Sequence, residues 1–198
     1  MTTDLSDIAL EKMLNEQGVD RRLFLKGGIC LSATALISTV GITPAMAHHS
    51  GGKFELSIHN MHTGESYKGI YRVGNQYLPE AFEKINYTLR DHRTGEVFPI
   101  DPRVIDIAAA VHRMSGSRKE FQILSGYRSP KTNNKLRRKT NGVAKQSLHM
   151  SGQALDVQLD DVSTRRLRDI AVKLKAGGVG YYPRSGFVHV DSGQFRTW

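Results

Sequence analysis

The stretch Ser147-Leu148-His149-Met150-Ser151-Gly152-Gln153-Ala154-Leu155-Asp156-Val157-Gln158-Leu159 carries two patterns at once. Leu155, Val157 and Leu159 alternate with polar residues, which places three apolar side chains on one face of a strand. Asp156 then stands on the opposite face, between two apolar neighbours. A carboxylate in the middle of a strand is costly to bury unless a positive partner compensates it. A divalent metal would supply that charge, and so would a buried arginine. His149 lies seven residues before Asp156, just ahead of the strand.

The same logic applies to Phe187-Val188-His189-Val190-Asp191, where Val188 and Val190 face one side and Phe187, His189 and Asp191 the other. If this strand pairs near the first, His149, Asp156 and His189 converge as a His, Asp, His set. Three protein ligands with a fourth position open is the arrangement of a catalytic zinc, whereas a structural zinc is closed by four. Spacing alone is weak support, because seven residues between a His and an Asp are common by chance; the inference depends on the strands pairing.

Upstream, Ser125-Gly126-Tyr127-Arg128-Ser129-Pro130 leaves a strand at Phe121–Ser125 and enters a helix. An arginine held at such a rim can clamp a substrate carboxylate or stabilise an oxyanion. It can equally form a salt bridge to a nearby acid. The helix that follows carries Lys131, Lys135, Arg137, Arg138 and Lys139, either an attraction for an anionic polymer or a solvated face.

The rest of the chain reads as short alternating elements. Phe54, Leu56 and Ile58 suggest a strand, a turn follows at Thr63-Gly64-Glu65, and Tyr67 to Val73 returns. Helical patterns run through Phe82, Ile85 and Leu89, and from Asp101-Pro102 through Val104, Ile107, Ala108 and Val111. A further helix follows Ser163 or Thr164 and ends at Gly177-Gly178, and Val179 to Tyr182 is a last short strand before Phe187. The expected fold is a single α+β domain, a small antiparallel sheet with flanking helices. His59, His62, His92 and His112 have no evident geometric partners, and His48 and His49 read as solvated, so all six are taken as structural or incidental.

Ahead of these elements, Asp20-Arg21-Arg22-Leu23-Phe24-Leu25-Lys26 precedes an uncharged run, Gly27 to Ala47, that ends in Ala45-Met46-Ala47. Paired arginines before a weakly apolar segment resemble a twin-arginine export signal, and small residues at the first and third places of the triplet suit a signal peptidase. The expected division is a signal peptide over residues 1–47 and one domain over 48–198. The run is also long enough for a retained anchor, although its Ser, Thr and Gly content and the triplet favour cleavage. The only cysteine, Cys30, lies in this segment, so the exported domain would contain no thiol nucleophile and no cysteine zinc ligand.

The 198-residue chain has 28 basic and 19 acidic residues. Four basic and five acidic residues fall in the first 47, which leaves a net charge of +10 on residues 48–198. Such a charge calls for an anionic neighbour. Export argues against nucleic acid and towards the peptidoglycan carboxylates and lipid head groups outside the inner membrane, with the twin-arginine translocase as a transient partner and the periplasm as destination. No stable membrane anchor is expected after cleavage.

Together, Ser125 to Ser129, Ser147 to Asp156 and Gly186 to Asp191 resemble the D-alanyl-D-alanine peptidase branch of the LAS zinc metallopeptidases, whose fold is shared with Hedgehog proteins. Residues 174–191 are similar to a narrower group of twin-arginine-exported proteins related to periplasmic murein endopeptidases of Gram-negative bacteria. The resemblance implies that His149, Asp156 and His189 bind Zn2+ and that Arg128 binds or polarises the substrate. The implied reaction is hydrolysis of an amide in a peptidoglycan stem peptide or cross-link, by an endopeptidase or a carboxypeptidase, in cell-wall remodelling. Most relatives place an acidic general base three residues before the last zinc histidine, where this chain has Gly186. Asp191 is the nearest acid, either as that base or as a partner of a ligand histidine. The missing acid keeps open a non-catalytic peptidoglycan-binding protein that retains the metal, and an exported binding protein without one.

Overall fold

Alternating side chains build a sheet that has helices packed on it and a polar site on its opposite face at one end. The computed structural model describes residues 52–140 and 143–198. The proposed export segment, its cleavage triplet, Cys30, His48 and His49 lie outside the described residues. Among those described, no helix is long and apolar enough to cross a membrane.

The elements in chain order are strands β1 (Lys53–Asn60), β2 (Ser66–Val73) and β3 (Gln76–Tyr77), helices α1 (Pro79–Thr88) and α2 (Pro102–Ser115), and strand β4 (Phe121–Ser125). There follow α3 (Pro130–Lys139), a 3-10 turn (Leu148–Ser151), β5 (Ala154–Gln158), α4 (Thr164–Leu174), β6 (Gly178–Tyr182), β7 (Phe187–Asp191) and β8 (Arg196–Thr197). All eight strands form one sheet in the order β3-β2-β1-β4-β5-β7-β6-β8.

The α+β class and the helix positions agree with the sequence patterns, whereas the sheet is wider than expected and mixed. β1 runs parallel to β4, and β6 parallel to β8. Two-residue strands such as β3 and β8 are too short for alternation to register, and no local pattern reports a parallel partner distant in sequence.

Leu155 lies opposite Val190, which lies opposite Val179, and Val157 lies opposite Val188. All five are buried. Helices α2 and α4 pack on each other and on β7, and α4 also packs on β6. Helices α2, α3 and α4 start on side-chain caps: Asp101 accepts from Arg103 N, Ser129 from Thr132 N and Ser163 from Arg166 N; α1 starts on Pro79 without one.

One buried acid ties the loop after α1 to the start of α3. Asp91 accepts from the backbone N of Ser129 at 3.0 Å, from its hydroxyl at 2.7 Å and from Arg93 N at 2.9 Å. Burial raises its pKa, but hydrogen bonds from Thr132, Ser129 and Arg93 outweigh it and hold the carboxyl at about 2, below the ordinary 3.8. Because the folded pKa is depressed, this stabilisation is complete above the unfolded value and is lost as pH falls from about 4 to 2. Asp91→Asn should therefore unfold with a shallower acid dependence across that window. The gap from wild type at neutral pH should be on the order of 2 kcal/mol, read from denaturant melts at a series of pH values.

Candidate metal centre and its cleft

Strand pairing produces the convergence that spacing alone could not establish. Asp156 is directly opposite His189 across the β5–β7 ladder, and a register irregularity in β4 between Ile123 and Ser125 faces this part of β5. His149 arrives from the 3-10 turn, which is closed by Gly152 in a left-handed conformation. His149 Nε2 is 3.2 Å from His189 Nδ1 and 3.3 Å from Asp156 Oδ1, and His189 Nδ1 is 2.9 Å from the same oxygen. All three residues are buried.

These separations suit one small cation. Tetrahedral zinc with bonds of roughly 2.0–2.1 Å places its ligand atoms about 3.3–3.4 Å apart, close to the three observed distances. His149 Nδ1 lies 2.8 Å from the Gly126 carbonyl, so that nitrogen donates its proton and leaves Nε2 with a free lone pair. His189 is fixed from behind in the same way, its Nε2 lying 3.2 Å from Asp191 Oδ2. Two imidazole nitrogens and a carboxylate oxygen form a donor set for Zn2+ or a similar divalent ion.

Burial raises the pKa of Asp156, but the two histidines outweigh it and keep the carboxylate ionised. His189 is shifted the opposite way: burial lowers its pKa, and hydrogen bonds to Asp156 and Asp191 more than reverse this. Arg128 Nη2 is 3.6 Å from Asp156 Oδ2 and 3.2 Å from the Ser125 hydroxyl. Asp156 thus has both compensating partners that its position in the strand called for, an arginine and a cation-binding geometry. Arg128 Nε is buried without a hydrogen-bond partner, and the guanidinium lines a cleft of about 710 Å3 together with His149, Asp156, His189 and Tyr182.

Asp191 does not face that cleft. Its carboxylate is fully buried and accepts from Gly178 N at 3.0 Å, Gly193 N at 2.9 Å, both terminal nitrogens of Arg196 at 3.1 and 2.7 Å, and His189 Nε2. Burial works against its charge, but these donors hold its pKa far below the ordinary carboxylate value. Its partner is the nitrogen of His189 turned away from the ligand cluster. Among the described residues lining the cleft, Asp156 is the only carboxylate. Gly186, at the position where the family resemblance predicts an acid, has a φ of 75° in the β6–β7 turn, a conformation that favours glycine.

The remaining described histidines lie outside the cluster. His59 Nδ1 is 2.8 Å from the Ser66 hydroxyl and His112 Nε2 is 2.6 Å from the Lys119 carbonyl. His62 stacks on His92 at 3.9 Å, and burial, helped by Arg93 and His62, lowers the His92 pKa to about 4.

Sequence reasoning missed Arg196 and Trp198. Arg196 grips Asp191 through both carboxylate oxygens, and the Trp198 ring lies 5.2 Å from that of His189. The available signal was the chain's single tryptophan two residues after an arginine, close behind the His189 strand.

Comparison with known proteins gives the same reading. The family model described as peptidoglycan L,D-endopeptidase MepK matches residues 48–198. The chain is 42% identical over 179 residues to the peptidoglycan L,D-endopeptidase MepK of Escherichia coli K12, covering 90% of this chain and 96% of that protein. It is 36% identical over 179 residues to the probable peptidoglycan L,D-endopeptidase MepK of Haemophilus influenzae, covering 90% and 94%.

Proposed function

This chain belongs to the peptidase family described as peptidoglycan L,D-endopeptidase MepK and is a zinc-dependent peptidoglycan hydrolase; on that premise we propose that it cuts an internal amide joining an L-configured to a D-configured centre in peptidoglycan cross-links. The observation that carries this reading is the three-atom cluster of His149, Asp156 and His189 at the wall of a cleft shared with Arg128. The named activity of the relatives supports the choice of bond.

His149, Asp156 and His189 would hold the zinc, which when bound polarises a carbonyl oxygen and makes water a better nucleophile at neutral pH. The residues of the chain supply the rest. The Gly126 carbonyl fixes the His149 tautomer, and Asp191 does the same for His189. Arg128 balances the charge of Asp156 and presents donors to the substrate carbonyl or to a neighbouring stem-peptide carboxylate. Asp191 acts through His189, as an orienting partner rather than as the group that takes the proton from water.

Export supports a periplasmic site of action. The paired Arg21 and Arg22, the uncharged run and the Ala45-Met46-Ala47 triplet support transport by the twin-arginine route with cleavage after residue 47, which leaves residues 48–198 as the working domain.

The test is mass spectrometry of muropeptides released from purified sacculi by the zinc-loaded protein. Cross-linked fragments should resolve at L,D bonds, and a chelator should stop this. Cleavage confined to D,D bonds would refute the specificity, and bound zinc with no products would leave a wall-binding protein. Arg128→Ala should retain zinc, measured by atomic absorption, while turnover falls by about 10²-fold or more, as for removal of a donor used in the transition state.

A further inference from the structure

We propose that Tyr182 is a substrate-contacting residue of this hydrolysis, its hydroxyl aimed by the indole of Trp198 so that it donates a hydrogen bond to the carbonyl oxygen of the scissile amide. The inference rests on the peptidoglycan hydrolase reading above and adds a residue to it.

Position comes from the ladder. His189 is opposite Gly180 and Phe187 is opposite Tyr182 in the β6–β7 pair, so Tyr182 is diagonal to His189 on the same face of the sheet, a separation that long aromatic side chains bridge. Tyr182 lines the cleft with Arg128 and all three ligand residues.

The hydroxyl is oriented by a donor that cannot accept. Trp198 Nε1 lies 2.8 Å from the Tyr182 oxygen. An indole nitrogen only donates, so the phenol oxygen is the acceptor and its own proton is directed elsewhere. Among the described residues, that hydroxyl has no other hydrogen-bond partner. With the oxygen accepting from Trp198, the hydroxyl proton can be given to a group that enters the cleft Tyr182 lines.

The tyrosine is supported from two sides. The Tyr182 ring stacks on Phe187 at 4.5 Å and 18°. Trp198 is tied to β6 through its backbone, Tyr181 N to Trp198 O at 2.9 Å and Trp198 N to Val179 O at 3.3 Å. Its indole lies over Gly180, where an added Cβ would be 2.8 Å from the ring; no other residue leaves that space. One indole therefore packs on the metal-ligand histidine and holds the tyrosine hydroxyl, fixing the distance between them.

Amide hydrolysis gives a substrate group for this donor to serve. As water adds to the carbonyl carbon, negative charge gathers on the carbonyl oxygen; the C–N bond then breaks with its electron pair leaving on nitrogen, which takes up the proton that the water gives up. Tyr182 keeps its own proton throughout and only strengthens its hydrogen bond as that charge grows.

Tyr182→Phe should retain zinc and melt like the wild type, with kcat lower by about 10²-fold and KM little changed, as for loss of one oxyanion donor. Its affinity for a phosphinate analogue of the L,D dipeptide, read by calorimetry, should fall in parallel. Trp198→Phe keeps a ring near His189 but removes the donor, so kcat should fall by about tenfold, and the double variant should be no slower than Tyr182→Phe alone, as coupled groups are non-additive. A Tyr182→Phe enzyme within about threefold of wild type in both turnover and analogue affinity would overturn the proposal, with the threshold set by typical scatter between independent substitutions. A wild type that releases no L,D-cleaved product would instead refute the reading beneath it.

Discussion

Alanine at Asp156 should leave the protein without bound zinc and without measurable hydrolysis of sacculi. Asp156 would supply the only oxygen to the metal from the cluster, and lies 2.9 and 3.3 Å from the two imidazole nitrogens. Without it, only two imidazole nitrogens remain in the cluster, and Arg128 loses the carboxylate 3.6 Å away that balances its charge. The remaining site is both short of a ligand and electrostatically hostile to a cation. The drop in zinc affinity should exceed the roughly 10–100-fold that follows loss of an outer hydrogen-bond partner. His149→Ala should behave the same way. Metal content after dialysis and product release from sacculi are the two readings, and activity retained in either variant would refute the zinc assignment.

Asp191→Ala should have the largest effect on the fold itself. Its carboxylate accepts two backbone N–H groups, both ends of the Arg196 fork and the His189 imidazole. Each buried donor left without its acceptor costs about 1–3 kcal/mol, and the lost pairing with the half-exposed Arg196 adds less, so the alanine variant should unfold at a much lower temperature or fail to accumulate. Asp191→Asn separates the two roles considered for this residue. The amide keeps the shape but accepts through one oxygen only and turns an NH2 group towards other donors. If Asp191 orients His189, zinc affinity should fall roughly 10–100-fold and saturating zinc should restore most of the turnover. If it took the proton from water, turnover would stay low at any zinc concentration.

The central part of the site was legible because strand alternation encodes it directly. Leu155, Val157, Val188 and Val190 marked the buried face, and that left Asp156 and His189 together on the other once the strands paired. Arg128 was legible as a residue between a strand and a capped helix. Its link to Asp156 was not, because both a substrate clamp and an ion pair fit the same sequence. The surroundings of Asp191 were the least legible: two residues after His189 places it on the same face, but only the folded chain shows Arg196 and the backbone N–H groups of Gly178 and Gly193 occupying its oxygens. Width and mixed direction of the sheet were hidden for a similar reason, since β3 and β8 are two residues long and are recruited by tertiary pairing.

In β5 and β7, core and chemistry are written in alternate letters of the same words: Leu155, Asp156, Val157, and Val188, His189, Val190. Substitutions can therefore alter one face and spare the other, which lets the chemistry vary without disturbing the packing. A length change has no such freedom. Inserting or deleting a single codon within either strand would exchange the faces downstream, turning a carboxylate or an imidazole into the oily layer and valines out into the cleft. This gene should tolerate many missense changes along these strands and almost no in-frame indels.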